Sequence, residues 1–202
     1  MKSILLSIKP KYVELIASGK KTIEVRKTAP KEVPFKCYIY MTQGAYKDLG
    51  LYSEGIYQNR MKVIGDFVCD KVFLLQPYTY DGGNADFGHR KFIQTFEGIS
   101  KDNEILSATC LSQDEMFDYI GIDNYGYGLH ISDLKIYGKP KELSEFISPS
   151  KAKKCVDYCV NGICSNLGYE ELCGAIRRCE YKKITRPPKN YIYVEEQENS
   201  NE

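Results

Sequence analysis

Short segments with the apolar pattern of β-strands recur along the chain, and few helical segments separate them. Helical patterns occur at residues 9–20 and 111–121, and a further helix is predicted around Cys173. In the second stretch, Ser112 and Glu115 have the spacing of a capping box, and Gly121 follows as a stop signal. Many short strands with few helices are typical of an α+β fold built on a small β-barrel with flanking helices. The predicted strands cover residues 3–8, 21–28, 35–42, 61–75, 125–138 and 190–196.

The composition indicates one domain with an extension. The chain has 202 residues, of which 43% are hydrophobic, and its 28 basic residues nearly balance its 27 acidic residues. That balance excludes a histone-like or polybasic protein. The apolar runs are too short to cross a membrane, and the run near the N-terminus is too short for a signal peptide. We therefore expect a cytoplasmic protein with no membrane partner.

Positive charge is concentrated in two segments. Residues 1–36 contain nine Lys and Arg against three acidic residues, and residues 148–189 contain nine against four. If the fold joins the two segments, they form a basic face suited to an anionic partner. The alternative is that these lysines and arginines only solvate the surface.

The segment "SGKKTIEVRK", residues 18–27, places charged side chains on one face of a short strand. Because side chains alternate along a strand, Glu24 and Arg26 share a face about 6–7 Å apart, and Lys21 lies where the strand begins. The carboxylate can accept a hydrogen bond from an exocyclic amine of a base, and the guanidinium can bind a phosphate or a carbonyl. We predict that the three line one solvent-reachable cleft. The alternative is a structural ion pair at the rim of the barrel.

Gly19, Lys21, Glu24 and Arg26 form the pattern G-x-K-x-x-E-x-R, which resembles the signature of the ASCH domain family, a branch of the PUA-like superfamily. Further similar segments are "VIGDFVCDKV", "YGLHISDLKIY" followed by "KPKELSEF", and "ITRPPKNYIYVEE". The resemblance covers residues 1–147 and 183–197 and is strongest to ASCH proteins of Gram-positive bacteria and their phages. It implies a PUA-like β-barrel with flanking helices and a cleft for RNA or modified nucleosides near the signature.

One bacterial branch of that family hydrolyses the acetyl group of N4-acetylcytidine with a lysine, a threonine nucleophile and a glutamate. The resemblance places Lys21 on the lysine and Glu24 on the threonine position, so these two are the candidate catalytic residues, and the nucleophile is absent. For the glutamate of that branch, Glu115 is the residue that we consider. A small amidohydrolase acting on an acylated nucleoside is therefore an alternative to binding alone.

Tyrosines offer aromatic faces on which nucleobases can stack. The chain has 17 of them. Tyr38 and Tyr127 lie in predicted strands, and together with Lys21, Glu24 and Arg26 they are the candidate ligand-binding residues. The alternative is that a tyrosine-rich sheet buries these rings.

Cysteines are concentrated in residues 149–180. In a protein expected to be cytosolic, cysteines favour free thiols or a metal site over disulfides. Four thiolates can form a tetrahedral zinc site. A short segment with a small hydrophobic core needs such a site to be stable. We predict one structural zinc ion and no other cofactor, with free thiols and disulfides as the alternatives. The ligands are four of Cys155, Cys159, Cys164, Cys173 and Cys179.

The predicted organisation is a barrel domain at 1–148, a Cys-rich insertion at 149–180, a closing strand at 181–197 and a disordered tail at 198–202. We expect residues 190–196 to pair with the N-terminal strands. The leading functional hypothesis is a protein that binds RNA, a nucleoside or a nucleotide in a basic cleft around the signature. A phage-type protein-interaction module is the third alternative.

Overall fold

The computed structural model describes residues 1–44, 58–80, 90–148 and 184–196. Within these ranges the chain has a mixed α+β fold, which confirms the predicted class, whereas closure into a barrel remains a prediction. None of the helices in these ranges has the length and apolar character that a membrane crossing requires. The predicted Cys-rich insertion at 149–180, with its five candidate zinc ligands, lies outside the described residues, as does the tail at 198–202.

The described elements are numbered along the chain. The helices are α1 (Pro10–Ala17), α2 (Ile99–Ala108) and α3 (Gln113–Ile120). The strands are β1 (Lys2–Ile8), β2 (Ile23–Arg26), β3 (Phe35–Met41), β4 (Val63–Cys69), β5 (Val72–Tyr80), β6 (Arg90–Gln94), β7 (Gly126–His130), β8 (Ser132–Lys141), β9 (Phe146–Ile147), β10 (Tyr191–Tyr193) and β11 (Glu195–Glu196).

The first sheet has the strand order β10-β1-β3-β4-β8. β1 runs parallel to β3, because α1 carries the chain across between them, as a parallel connection requires. β10 pairs antiparallel to β1 with Ile4 opposite Tyr193, so residues 191–193 of the predicted strand 190–196 lie beside β1, whereas β11 pairs with β9. Gly65 lies beside a register shift between β3 and β4, and a Cβ there would collide with the carbonyl oxygen of Lys135. The bulge therefore needs glycine at this position.

The second sheet has the order β2-β7-β5-β6. Its apolar face packs against the helices, with Val25 and Leu75 in one cluster with Leu106 of α2 and Met116 of α3. The predicted capping box of Ser112 with the glutamate three residues later is present at the start of α3. The two sheets and these helices position β2, the strand that carries the signature.

Two predicted strands are in fact pairs of strands. Residues 61–75 divide at Asp70 and Lys71, where the chain leaves β4 in the first sheet and enters β5 in the second. Residues 125–138 divide at Ile131 in the same way, between β7 and β8. The first break falls at Asp70 and Lys71, which are exposed and charged, and the second at Ile131, so periodicity along each run did not mark where the chain changes sheet. The helix α2 is not among the helices that the sequence pattern predicts.

Candidate nucleic-acid interface

The signature strand β2 is covered on both faces. Ile23 and Val25 point to the apolar clusters beneath the helices. Glu24 and Arg26 point the other way, because successive side chains alternate. On that side Arg26 Nη2 donates a hydrogen bond to the carbonyl oxygen of Ser7 in β1, at 2.7 Å. The charged face of β2 therefore looks towards the first sheet.

Lys21, Glu24 and Arg26 form one ion-pair cluster, which we call the signature cluster. Lys21 Nζ lies 3.4 Å from Glu24 Oε2, and Arg26 Nη2 lies 3.0 Å from Glu24 Oε1. Lys21 Nζ also donates to the carbonyl oxygen of Thr109, at 2.6 Å, just beyond the end of α2. Each carboxylate oxygen thus has a cation beside it, and each cation also binds a backbone carbonyl.

The signature cluster is almost closed to solvent. The exposed fractions are 1% for Lys21 and 6% for both Glu24 and Arg26. The three residues predicted from the sequence do come together, but the expected solvent-reachable cleft is not open. The reason is that β2 lies between the helices on one side and the first sheet on the other. The sequence also led us to expect an exposed Lys21 that contributes little to stability, and this expectation is wrong because Lys21 is buried.

One polar atom of the signature cluster lacks a partner. Among the described residues, Arg26 Nε is the fully buried side-chain nitrogen or oxygen for which no hydrogen-bond partner is present. Buried donors in folded proteins are nearly always paired, because an unpaired one loses its hydrogen bonds to water. The unpaired N–H of Arg26 Nε is therefore the unusual feature of the cluster.

Two tyrosines border the signature cluster from two different helices, and each carries a surface lysine. The ring of Tyr12, in α1, has Lys21 Nζ 5.3 Å and Lys11 Nζ 4.5 Å from its centroid. The ring of Tyr119, in α3, has Lys27 Nζ 5.3 Å from its centroid. Burial raises the pKa of Tyr119, and the nearby Arg26 guanidinium opposes that rise. These two rings with Lys11 and Lys27 form what we call the aromatic rim.

A salt bridge joins the two helices of the aromatic rim. Lys11 Nζ of α1 lies 3.5 Å from Glu115 Oε1 of α3, and both side chains are largely exposed. Glu115 also accepts a hydrogen bond from the backbone N–H of Ser112, which lowers the pKa of its carboxyl group, and Lys11 lowers it further. Glu115, which we considered for the glutamate of the acetyl-hydrolysing branch, is therefore a helix cap at the rim with an ion-pair partner.

Of the two tyrosines predicted to bind ligand, Tyr127 lies beside the signature cluster and Tyr38 does not. Tyr127 is directly opposite Arg26 in the pairing of β2 with β7 and is partly buried against the core. Tyr38 is 5% exposed and packs edge-on against Phe146, in a core cluster that contains none of the signature residues. Tyr38 follows Cys37 in β3 and therefore points to the opposite face of the sheet. Its assignment to the cleft is corrected on this ground.

A shallow depression of about 470 Å³ lies on the first sheet, at a distance from the signature cluster. Lys36, Asp66 and Lys135 contribute to its wall. Asp66 accepts a hydrogen bond from the hydroxyl of Tyr137 and lies 3.3 Å from Lys36 Nζ. Burial and the neighbouring carboxylate raise the pKa of Tyr137. We call Asp66, Tyr137 and Lys36 the outer cluster.

A buried threonine next to Lys21 is not available as a nucleophile. Thr109 binds Lys21 through its carbonyl, while its hydroxyl donates to the carbonyl of Leu106 at 2.6 Å and accepts from the N–H of Leu111. Glu24, at the position of the family threonine, has both oxygens in ion pairs. In the part of the chain that the structure describes, no group of three His, Cys, Asp or Glu is placed to hold a metal ion.

Sequence reasoning missed Tyr12, Tyr119 and Thr109 as neighbours of the signature cluster. Tyr12 has the spacing of an apolar residue in α1, and the pattern around Tyr119 indicates a helix with its cap but no site. Nothing in a single sequence shows that α1 and α3 meet at β2, because that contact depends on how the two sheets are arranged. The excess of lysine in residues 1–36 was the available signal, and Lys11 and Lys27 belong to it.

A comparison with protein families gives one match to this region. The family model described as ASCH domain matches residues 6–65. The matched segment contains the end of β1 and all of α1, β2 and β3, and thus the whole signature cluster. It covers under a third of the chain, and it agrees with the resemblance found in the signature. The assignment to a Gram-positive or phage subgroup is not part of this match.

Solved structures of an ASCH protein from Zymomonas mobilis are similar to this chain. The crystal structure of that protein has 15% sequence identity and a TM-score of 0.49, with 96% of this chain and 88% of that chain covered. A mutant form of the same protein gives 16% identity and a TM-score of 0.47, with coverage of 97% and 90%. No curated protein matches this chain.

Proposed function

We propose that the chain binds single-stranded RNA or a modified nucleoside at the aromatic rim, above the signature cluster. The observation that carries the proposal is the pair of tyrosine rings, Tyr12 and Tyr119, each with a lysine ammonium over it and each next to the buried cluster. Aromatic rings interleaved with cations are what single-stranded nucleic acid requires, since bases stack on the rings and phosphates meet the cations.

The family match supports this proposal, since the ASCH domain is a PUA-like fold associated with RNA binding. The near-neutral net charge also bears on it, because few phosphates can be neutralised without strong clustering of cations. The proposed ligand is therefore a short single-stranded segment or a nucleoside, and not a long duplex. The buried signature cluster supplies a fixed charge pattern beneath the rim.

The test compares tyrosine variants in an RNA-binding titration. Tyr12→Leu and Tyr119→Leu each remove a ring and keep an apolar side chain, and Tyr125→Leu is the control, since Tyr125 is 51% exposed and the rim lysines lie over the other two rings. Loss of one stacked base is expected to weaken binding roughly fivefold to a hundredfold. The control is expected to bind like the wild type. Equal affinity in all four proteins would refute binding at the rim.

The salt dependence of binding separates phosphate contacts from base contacts. Lys11→Ala and Lys27→Ala should each lower the slope of log affinity against log salt by roughly one phosphate contact. Tyr119→Leu should lower the affinity and leave the slope unchanged. A slope that does not change in either lysine variant would show that the backbone of the RNA is bound elsewhere.

We also propose that the protein is cytoplasmic, that it belongs to the Gram-positive and phage group of ASCH proteins, and that residues 149–180 hold one structural zinc ion. The motive for the metal is the five cysteines within that stretch, from Cys155 to Cys179. Elemental analysis of the purified protein should find about one zinc per chain, and chelation should lower the thermal midpoint. Protein without stoichiometric metal would leave free thiols or disulfides as the explanation.

A further inference from the structure

The signature cluster contains one unpaired hydrogen-bond donor, and both oxygens of its carboxylate already have partners. Both oxygens of Glu24 have a cation beside them, Lys21 on one and Arg26 on the other. Arg26 uses Nη2 for the carboxylate and for the carbonyl of Ser7, and its Nε donates to nothing in the described part of the chain. A ligand that completes this cluster must therefore bring a hydrogen-bond acceptor. This reverses the sequence-based expectation that Glu24 receives an amine.

The charge of the cluster leads to the same conclusion. Lys21 and Arg26 contribute two positive charges, and within the described ranges their salt bridges go to Glu24 alone. The remaining positive charge is buried, since each of the three side chains is at least nine-tenths covered. A buried cation is stabilised by an oxygen that carries partial negative charge.

We propose that Arg26 Nε is a specificity-determining donor that binds a carbonyl oxygen of a nucleobase. The proposal rests on the function proposed above and deepens it, because it selects bases that carry keto groups over bases that do not. Uracil presents two carbonyl oxygens and adenine presents none. The protein therefore prefers uracil-containing RNA to adenine-containing RNA.

A neutral carbonyl fits this position better than a phosphate. Glu24 Oε1 lies 3.0 Å from Nη2 of the same guanidinium, so an acceptor on Nε is also close to a carboxylate. A phosphate there would bring a full negative charge next to another negative charge in a buried place, where repulsion is strong. A carbonyl oxygen carries only a partial charge and loses less hydration on burial.

Access to Nε requires that a covering side chain moves. Tyr119 is the neighbour best suited to do so, because it interacts with Arg26 and is 38% exposed. Its displacement from the guanidinium would open a path from the rim to Nε, and the displaced ring would remain next to the entering base. The rim and the buried donor would then hold two parts of one base, its face and its edge.

The first experiment uses the wild-type chain and three nine-nucleotide RNAs. These are oligouridine, oligoadenosine and an oligomer of abasic nucleotides with the same phosphates. Oligouridine should bind about tenfold or more tightly than oligoadenosine, the discrimination expected for one hydrogen bond to a charged donor. Equal binding of the two would overturn the carbonyl proposal while RNA binding itself stood. Binding of none of the three would overturn the proposed function as well.

The second experiment replaces the guanidinium. Arg26→Lys keeps the positive charge and removes the planar donor fork, and Arg186→Lys, at an exposed position, is the matched control. In Arg26→Lys the affinity for oligouridine should fall to that for oligoadenosine, with oligoadenosine unchanged. An equal loss of affinity for the abasic oligomer would show that the ligand of Nε is a phosphate and would overturn the proposal.

A third measurement keeps the proposal testable if Arg26→Lys does not fold, which its thermal midpoint will show. Wild-type protein is titrated with oligouridine in which both carbonyl oxygens of each base are replaced by sulfur, a poor acceptor. The substitution leaves the phosphates and the stacking face in place. A loss of about tenfold supports the carbonyl contact, and an unchanged affinity overturns it.

Discussion

The signature cluster and the outer cluster are two buried polar groupings built around one carboxylate each, and they differ in how fully they are paired. Glu24 is 6% exposed and Asp66 is 5% exposed. Asp66 is bound by one neutral hydroxyl, from Tyr137, and by one lysine that reaches solvent. Glu24 is bound by two buried cations, and one of them keeps an unpaired donor.

The difference separates a polar grouping that is partly open to solvent from one that is nearly closed to it. In the outer cluster, Lys36 is 30% exposed, so water can solvate the charge that its partner does not neutralise. In the signature cluster, water is nearly excluded and the positive charge remains. Buried polar groups left unpaired are found where a protein uses them, because selection for stability alone removes them.

The strongest test of this contrast is Glu24→Gln. It leaves Lys21 and Arg26 buried without their common anion, and breaking a buried ion pair in this way costs about 3–5 kcal/mol. We expect a loss of that size in the free energy of unfolding, measured by urea titration. Glu104→Gln, at an exposed position of α2, is the control and should change the stability little. A loss under about 1 kcal/mol in Glu24→Gln would show that solvent reaches the cluster.

Lys21→Met should cost less than Glu24→Gln, because it leaves one cation with one anion. The remaining loss comes from the carbonyl oxygen of Thr109, which then lacks its donor. An unpaired buried acceptor costs about 1–3 kcal/mol. Urea unfolding of the two variants side by side measures the order. A larger loss in the free energy of unfolding for Lys21→Met than for Glu24→Gln would show that unneutralised positive charge is not the main cause of the destabilisation.

Asp66→Asn should have a smaller effect, since the amide oxygen can still accept from the hydroxyl of Tyr137. The lost ion pair with Lys36 is partly exposed and contributes about 1 kcal/mol or less. Thermal unfolding at low and high salt measures it, and the difference from wild type should shrink as salt rises. A loss as large as that of Glu24→Gln would remove the contrast between the two clusters.

The smallest expected effect is the pH dependence of the rim. The pKa of Glu115 is lowered from its ordinary value of 4.5, so its charge stabilises the fold above that value. The contribution disappears as the pH falls through the lower folded pKa. Wild type should therefore unfold at a higher temperature than Glu115→Gln at pH 7, and the two midpoints should converge as the pH falls below 4.5 and through the lowered folded pKa. If the two thermal midpoints differed by the same amount at every pH, the difference would come from side-chain geometry and not from the charge of Glu115.

The local features of this chain were predictable, and the arrangement in space was not. The alternation in residues 21–28 correctly placed Glu24 and Arg26 on one face, and the spacing of Ser112 and Glu115 correctly gave the cap of α3. Whether that face of β2 meets solvent depends on a sheet assembled from strands far apart in sequence. The assignment of Tyr38 to the site failed for the same reason. The alternation of residues shows which face of a strand a side chain lies on, but not which elements cover that face.

The pairing of β10 with β1 has a consequence for how the polypeptide matures on the ribosome. The strand that includes Ile4 is synthesised long before its antiparallel neighbour at Tyr191–Tyr193, because the whole chain between them comes first. Until then one side of β1 offers unsatisfied backbone groups, which other nascent strands can capture. Such distant contacts also slow folding. Expression yield should therefore depend on chaperone supply, and release of chains ending before residue 191 should lead to aggregation.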